Sequence, residues 1–570
     1  MHNNSKDLSF HPYELVKDIH FSEIKGVKVT FINMPLRESA LPNVPPEGPA
    51  ILANIVRQYG GEPYIIDLNG YRIKDKLAKK KGLINGRHLT FSEAEEMIYR
   101  HLSNVGDQDV IAFSGKITTL RWQEKIAKIV KKLQPDCFLV SGNGLATEIK
   151  KGLFHWIPEL DGIARSEGDD IIPLICKDAL IIKEKGWDKA IKSGKLSPYY
   201  FGEINGKNRF IYEGNRPLNL DKIPYAAWDL LESDPYDHNL LEDYIKVPVW
   251  GIAANNSSAT PFTMKRSLTS VSSRGCPYAC AFCYRGAQGE RNYGMRSAEH
   301  IAIQIKEYVD KYNLDFIGFP DDNFAVDKRR IDEMVHVFKE YGVDHIRWGT
   351  HTRMDEADER AYKMAESGCV YIGFGAESAD AYVLELMNKG GFILKNGITK
   401  KIINGTAYDF PTTMVNAVKN CRDAGIHGNC TWIMAYPGEE LKHLQTSVAF
   451  IMWQKEFWTA GIQPGTKDFK NFEDGVNQNM FTATAYPGTE LWNVVRPDLK
   501  KHFDIQFDQY GDPICDDNFH NYVLELDDAT KILNDMQGNP VNFGEMPLDQ
   551  FLQTREYVDN GQIEKILEIT

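Results

Sequence analysis

Three cysteines, Cys276, Cys280 and Cys283, stand three and two residues apart in Cys276-Pro277-Tyr278-Ala279-Cys280-Ala281-Phe282-Cys283. A short run from Leu268 to Val271 and then Arg274-Gly275 precede them, which reads as a strand ending in a tight loop. A loop can wrap three sulfurs around one face of a metal cluster, where a helix would splay them. Thiolates are soft ligands that hold iron–sulfur clusters. Three local cysteines on a 4Fe-4S cubane leave one iron open, and an open position is what separates a catalytic metal from a structural one. Zinc would call for a second Cys or His pair at short spacing. The nearest downstream histidine, His300, lies inside a helical pattern.

The other six cysteines (137, 176, 369, 421, 430 and 515) are scattered, which is no disulfide framework and suits a reducing, cytoplasmic compartment. A net charge of −13 gives no electrostatic reason to expect a nucleic acid or an acidic membrane as partner. The opening residues lack the apolar core of a signal peptide, and no apolar run is long enough to span a bilayer. At 570 residues the chain has room for several domains.

Residues 24–190 alternate short β-rich runs with helical patterns. Strands are expected at 27–32, 64–66, 110–113, 137–140 and 161–164. Trp122, Ile126, Ile129, Val130 and Leu133 repeat at helical spacing, and Pro135 ends them. Residues 71–106, rich in Lys and Glu, read as a largely helical, solvated insertion. This alternation predicts a parallel, doubly wound (Rossmann-like) sheet. Ligands of such sheets bind beyond the carboxyl ends of the strands. Those ends carry Pro35, Ser114-Gly115, Gly142-Asn143-Gly144 and Glu167-Gly168, small residues that let a large planar ligand approach the backbone.

Residues 191–265 read as a linker with a small hairpin around Gly206. Over 266–445, strands at 316–319, 345–348, 370–374 and 430–434 alternate with helices, which suits a partial (β/α) barrel with its site at the strand C-termini. Residues 387–411 look like an inserted mobile flap, either a lid or substrate loop or an inert decoration. Over 446–570 the expectation is an aromatic-rich helix, a polar loop at 461–479, a closing strand near 481–485 and a mostly helical remainder that sets substrate specificity.

The C-x3-C-x2-C spacing, with Phe282 before the last cysteine, resembles the radical S-adenosylmethionine (SAM) superfamily. The resemblance implies that the open iron binds the amino and carboxylate groups of SAM. It assigns Asp321-Asp322-Asn323 to the SAM amino group, Arg353 to the SAM carboxylate and Glu377 to the amine or ribose. It places Tyr436 near the adenine and Phe282 beside the cofactor, with Tyr284 packing either on SAM or on the barrel rim. The N-terminal part resembles the cobalamin-binding domain upstream of many radical-SAM domains. The matching features are Pro-Pro-x-Gly at 45–48, Asp67, the Ser114-Gly115 loop, Gly142/Gly144 and Glu167-Gly168. The Asp-x-His-x-x-Gly motif that ligates cobalt is absent, and neither His101 nor His155 has its context. The resemblance therefore implies cobalamin with no protein histidine on its lower face.

Together these imply a cobalamin-dependent radical-SAM methyltransferase with a 4Fe-4S cluster, acting on an unactivated carbon of a small molecule and reduced by a flavodoxin or ferredoxin-type donor. Rearrangement without methyl transfer, a cobalamin-free enzyme and a non-catalytic iron–sulfur sensor stay open at this point.

Overall fold

The computed structural model describes residues 24–35, 45–70, 89–246, 264–284, 292–526 and 531–570. These divide into two compact units: the described residues up to Ile245 together with 503–526, and the remainder. Part of the basic stretch expected as an insertion, 71–88, lies outside the described residues; the helix Phe91–Val105 follows it, opened by a Thr90/Glu93 capping box.

The first unit is built on seven strands: β1 (Lys28–Asn33), β2 (Glu62–Asp67), β3 (Val110–Ser114), β4 (Phe138–Gly142), β5 (Gly162–Arg165), β6 (Tyr200–Ile204) and β7 (Lys207–Glu213). Their spatial order is β2-β1-β3-β4-β5-β7-β6, parallel throughout except for the antiparallel β6–β7 hairpin. β1, β3 and β4 are almost wholly buried, as strands covered on both faces must be. The helix Leu120–Leu133 covers one face with Leu120, Trp122, Ile126, Ile129 and Val130. Register aligns Asn33 with Asp67 and Ser114, and Ser114 with Gly142, so the carboxyl ends share one edge.

Two expected boundaries move. The hairpin expected within the linker at 191–265 is present, but it extends the sheet: β7 pairs with β5, and Phe210 meets Phe138 with ring centroids 5.6 Å apart. Burial of Phe210 and Tyr212 makes this stretch part of the domain instead of a strap. The C-terminal region expected at 446–570 is also divided. Its helix Asp517–Glu525 belongs to the first unit, with Phe519 against Trp156 at 5.4 Å and His520 Nε2 2.6 Å from Glu124 Oε1.

The second unit begins with β8 (Ser267–Thr269) and a short antiparallel pair, β9 (Ser273–Arg274) and β10 (Gly294–Met295). β11 (Phe316–Phe319), β12 (Arg347–Arg353) and β13 (Cys369–Glu377) follow, then the hairpin β14 (Ile398–Ile403)–β15 (Thr406–Pro411), then β16 (His427–Met434) and β17 (Met480–Thr482). The main sheet runs β17-β16-β13-β12-β11-β8, all parallel. Helices Ala298–Tyr312, Lys328–Glu340, Arg360–Glu366 and Thr412–Asp423 connect these strands, so this is the expected partial barrel. The stretch 387–411 does not hang as a loose flap. Phe410 of β15 packs on Phe450 at 5.1 Å, which ties the hairpin to the helix Leu441–Thr459. Residues 461–479, expected as loop, hold the helix Lys467–Asp474; its Phe472 stacks on Trp458 at 6.1 Å. No described helix is long and apolar enough to cross a membrane.

Candidate active site

The cysteine loop is held at several points. The Asp321 carboxylate accepts from Ser272 N (2.8 Å), Ser272 Oγ (2.5 Å) and Ser273 Oγ (2.6 Å), the residues that launch the loop. Asp321 is only 3% exposed, so both its oxygens are spent on the backbone that carries the cysteines. Gly275 turns the chain at φ +81°, and its N–H donates to Asp322 Oδ2 at 3.1 Å. Beyond the first cysteine, Ala281 N donates to Met387 O (2.9 Å), Asn388 Nδ2 to Ala279 O (2.8 Å) and Leu491 N to Ala281 O (2.8 Å).

Asn323 Nδ2 stands 3.9 Å from Cys276 Sγ, and Arg353 Nη1 stands 3.5 Å from Cys280 Sγ. Burial pushes the Cys283 thiol up to about 12, with Cys280 and Cys276 adding to the rise. Cys276 is raised for the same first reason. Among the described residues no three Cys, His, Asp or Glu side chains converge as they would on a single ion. The cysteines of a cubane each bind a different iron and stand further apart than the ligands of one ion. A cluster fits this donor set: three soft ligands on one loop, in surroundings that resist bare thiolates and favour a cationic partner.

Arg353 uses three of its five donors on the protein. Its Nε donates to Asp355 Oδ1 (2.9 Å), its Nη2 to Lys389 O (3.5 Å), and its guanidinium lies 4.0 Å over the Tyr278 ring. Asn323 joins a buried network around Glu356. Its Nδ2 donates to Glu356 Oε1 (3.2 Å), which also accepts from Tyr278 Oη (2.9 Å). Thr352 Oγ1 lies 2.7 Å from Asn323 Oδ1 and 2.6 Å from Glu356 Oε2, and burial raises the Glu356 carboxyl. Sequence reasoning missed Glu356. Its signal was an acidic residue three places after Arg353, at the end of a barrel strand.

The ends of β13 and β16 are strained. Glu377 has φ +66° and Ala435 has φ +60°, left-handed conformations that residues with a Cβ adopt at a cost and that gather at functional sites. Glu377 lines a cavity of about 240 Å³ with Phe282, Thr431, Thr482 and Tyr486. Its Oε1 lies 3.3 Å from Lys389 Nζ, a lysine that the sequence reading left inside the supposed flap. Tyr436 is buried beside this region. Burial pushes its hydroxyl up to about 12, with the Cys280 charge next in effect. The Tyr436 hydroxyl and Thr482 Oγ1 are buried without a hydrogen-bond partner among the described residues. Orphaned polar atoms at strand ends need partners, and the hydroxyls and ring nitrogens of an adenosyl group would supply them. By that test SAM fits. Tyr284 is 37% exposed, at the rim.

In the first unit, Ser114 and Gly142 sit side by side at the strand ends, and Asn143 Nδ2 donates to Ser114 Oγ at 3.3 Å. Gly144 N donates to Asn143 Oδ1 (2.7 Å), closing the turn. Gly115 and Gly168 face the protein's own side chains: a Cβ there would meet Thr119 Oγ1 at 2.2 Å and Leu52 Cδ1 at 3.0 Å. Glu167 Oε1 accepts from the buried Arg216 Nε at 2.9 Å. Ser166, which the sequence reading passed over, has φ +63° and a buried hydroxyl without a partner among the described residues. This polar, partly open edge, with an orphaned hydroxyl, fits a ligand rich in amide groups such as cobalamin. His101 is turned inward, 2.9 Å from Thr30 Oγ1, and burial pushes it down to about 4. His155 Nδ1 lies 3.2 Å from Asn205 Nδ2. A larger groove, about 540 Å³, opens at the other edge, where strands begin; there Lys131 and Asp161 are spent on each other at 2.8 Å.

Residues 270–451 match the sequence profile of the Radical SAM superfamily. Over those residues the chain carries a radical SAM domain. The chain is 27% identical over 478 residues, 82% of its own length and 83% of the relative's, to an uncharacterized methyltransferase of Pyrococcus horikoshii. Its fold is similar to that of OxsB, a cobalamin-dependent S-adenosylmethionine radical enzyme solved with aqua-cobalamin and S-adenosylmethionine bound. The TM-score is 0.58 at 14% identity, over 89% of this chain and 68% of that one. It is also similar to TsrM, a radical S-adenosylmethionine methyltransferase from Kitasatospora setae solved with cobalamin and a [4Fe-4S] cluster. There the TM-score is 0.53 at 13% identity, over 90% of this chain and 83% of that one. At these identities both likenesses concern the fold.

Proposed function

We propose that this enzyme is a cobalamin-dependent radical SAM methyltransferase that methylates an unactivated carbon of a small-molecule substrate. One observation carries the reading. A three-cysteine loop stands beside strained strand ends with orphaned polar atoms, in a chain whose other unit is a parallel sheet with a polar carboxyl edge. Cys276, Cys280 and Cys283 would hold the cluster. Glu377, Tyr436 and Thr482 would hold SAM, and Ser114, Gly142, Asn143 and Ser166 would line the cobalamin edge. When bound, the cluster delivers the electron that cleaves SAM, and cobalamin carries the methyl group. A flavodoxin or ferredoxin-type protein would supply the electron.

The chain's own contribution is placement. Asp321 fixes the strand that launches the cysteine loop. Arg353 presents a fixed positive charge to Cys280. Glu356 ties Asn323 to Tyr278 within the loop.

The test is anaerobic purification with cobalamin supplied, then iron and cobalt counts and SAM labelled in its methyl group. About four irons with equimolar cobalt and label moving into product are expected. Iron without cobalt would overturn the cobalamin reading, and cobalt without label transfer would favour rearrangement.

A further inference from the structure

Between β13 and the helix Thr412–Asp423 the chain inserts a helical turn, Gly390–Ile393, and the hairpin β14–β15. The start of this arm is tied to the cysteine loop. Ala281 N donates to Met387 O (2.9 Å) and Asn388 Nδ2 to Ala279 O (2.8 Å). The Phe392 ring meets the Tyr278 ring edge-on, with centroids 5.6 Å apart. Tyr278 stands between the first two cysteines, and its backbone N–H bonds the Cys276 sulfur. Phe392 is nevertheless 55% exposed, so one ring spans from solvent to the metal loop.

The rest of the arm also presents apolar groups outward. Strand alternation puts Thr399, Lys401 and Phe410 on one face of the hairpin and Ile398, Lys400 and Ile402 on the other. The first face packs on the helix Leu441–Thr459, Phe410 against Phe450 at 5.1 Å and Lys401 Nζ 5.6 Å over the Trp453 ring. On the second face Ile398, Lys400 and Ile402 are all exposed. Charge is equally one-sided. Residues 387–411 hold four lysines (389, 395, 400 and 401) against one acid, Asp409, in a chain of net charge −13. Lys395 Nζ lies 5.9 Å over the Phe392 ring. An exposed aromatic group rimmed by charge has the anatomy of an interface centre. A positive arm on an acidic chain selects an acidic partner, which the net charge of the whole would otherwise repel.

We propose that the 387–411 arm is the docking surface for an acidic one-electron carrier protein, with Phe392 at the centre of the contact and Lys395 and Lys400 steering the approach. Electron transfer weakens steeply with distance, and Phe392 is where a carrier comes nearest to Tyr278 and Cys276 through packed side chains. The reduced carrier loses one electron and the oxidised cluster gains it; no covalent bond forms or breaks. This rests on the reading of the chain as an enzyme that holds a reducible 4Fe-4S cluster.

Stopped-flow absorbance on the anaerobic cluster-loaded protein would follow reduction by an acidic flavodoxin, by an acidic ferredoxin and by reduced methyl viologen, a small cation that needs no docking surface. Titration calorimetry with the oxidised carriers reads binding apart from electron transfer. Lys395→Glu/Lys400→Glu should weaken carrier binding by about tenfold or more at low salt and reduce its salt dependence. Phe392→Ala should weaken it by about tenfold, as the loss of a central aromatic contact does. Both variants should slow reduction by the carrier in the same proportion and keep the viologen rate within about twofold of wild type. Carrier binding and rate unchanged in both variants would overturn the proposal. Equal slowing with viologen would overturn it too and make the arm a support of the cysteine loop. Binding of wild type to anionic lipid vesicles, lost in the lysine variant while carrier rates hold, would give the face to a membrane instead. Wild-type protein reduced by viologen and by neither carrier would overturn the docking surface while leaving the cluster reading intact. Wild-type protein that holds no iron would overturn both.

Discussion

Asp321 offers a sharp test of whether a carboxylate at a strand end serves a ligand or the fold. Its oxygens accept three hydrogen bonds between 2.5 and 2.8 Å from Ser272 and Ser273. The buried Arg330 supplies the opposing charge and also donates to Ser272 O at 3.1 Å. Bonds to a charged acceptor are worth about 1.5–3 kcal/mol each, though not additively. Removing one partner of a buried charge pair costs about 3–5 kcal/mol, because the other charge is left uncompensated. Asp321→Ala should therefore lower unfolding stability by about 3–5 kcal/mol. Asp322→Ala is the control: Asp322 is exposed and, among the described residues, accepts one bond, from Gly275 N. It should cost about 1 kcal/mol or less. Urea unfolding followed by tryptophan fluorescence and circular dichroism, on anaerobic cluster-loaded protein, measures both. Iron retention should fall in the same order. If Asp321→Ala shifted stability no more than Asp322→Ala while weakening S-adenosylhomocysteine binding, the structural assignment would be wrong and Asp321 would be a ligand residue.

Replacing Cys276, Cys280 and Cys283 together by Ala should remove all cluster iron and its visible absorbance, whereas replacing the buried Cys137 should leave the iron count unchanged. Ser114→Phe should fill the carboxyl edge of the first sheet and lower cobalamin retention by more than about tenfold without changing iron content; equal loss of both would refute an independent site. Burial pushes the Glu439 carboxyl up to about 8, well above the ordinary glutamate value of about 4.3. Between those values the folded protein holds a proton that the unfolded chain has released, so this group's contribution to stability falls as pH rises from about 4.3 through 8. Glu439→Gln keeps an acceptor for Ala435 N and removes the titration, so its urea midpoint relative to wild type should be higher near pH 8 than near pH 5.5; a pH-independent difference would contradict this.

Local pattern made much of this protein legible. Cysteine spacing marks the metal loop because three ligands of one cluster lie within a single turn of chain. Hydrophobic period marks the strands and helices of both units because burial repeats every few residues. Even the β6–β7 hairpin is visible around Gly206, since Asn205 and Gly206 are the residue types that tolerate the left-handed turn they take. The pattern does not say which sheet that hairpin joins, because pairing with β5 depends on residues far back in the chain.

The sequence by itself determined the chemistry available: a three-thiolate loop, a (β/α) barrel and a parallel sheet with small residues at its ligand edge. Tertiary structure decided how each charge is spent. Asp321 looks like a ligand residue by position, but serine donors 49 and 48 residues earlier consume it. Arg353 follows a strand end, and there Cys280, 73 residues before it, and Lys389 O, 36 residues after it, each take one of its donors. Lys389 looks like part of an inserted flap, yet it is buried against Glu377. The reason is physical: a buried charge acts on whatever the fold brings within hydrogen-bond reach, and that distance is set by packing, not by position along the chain.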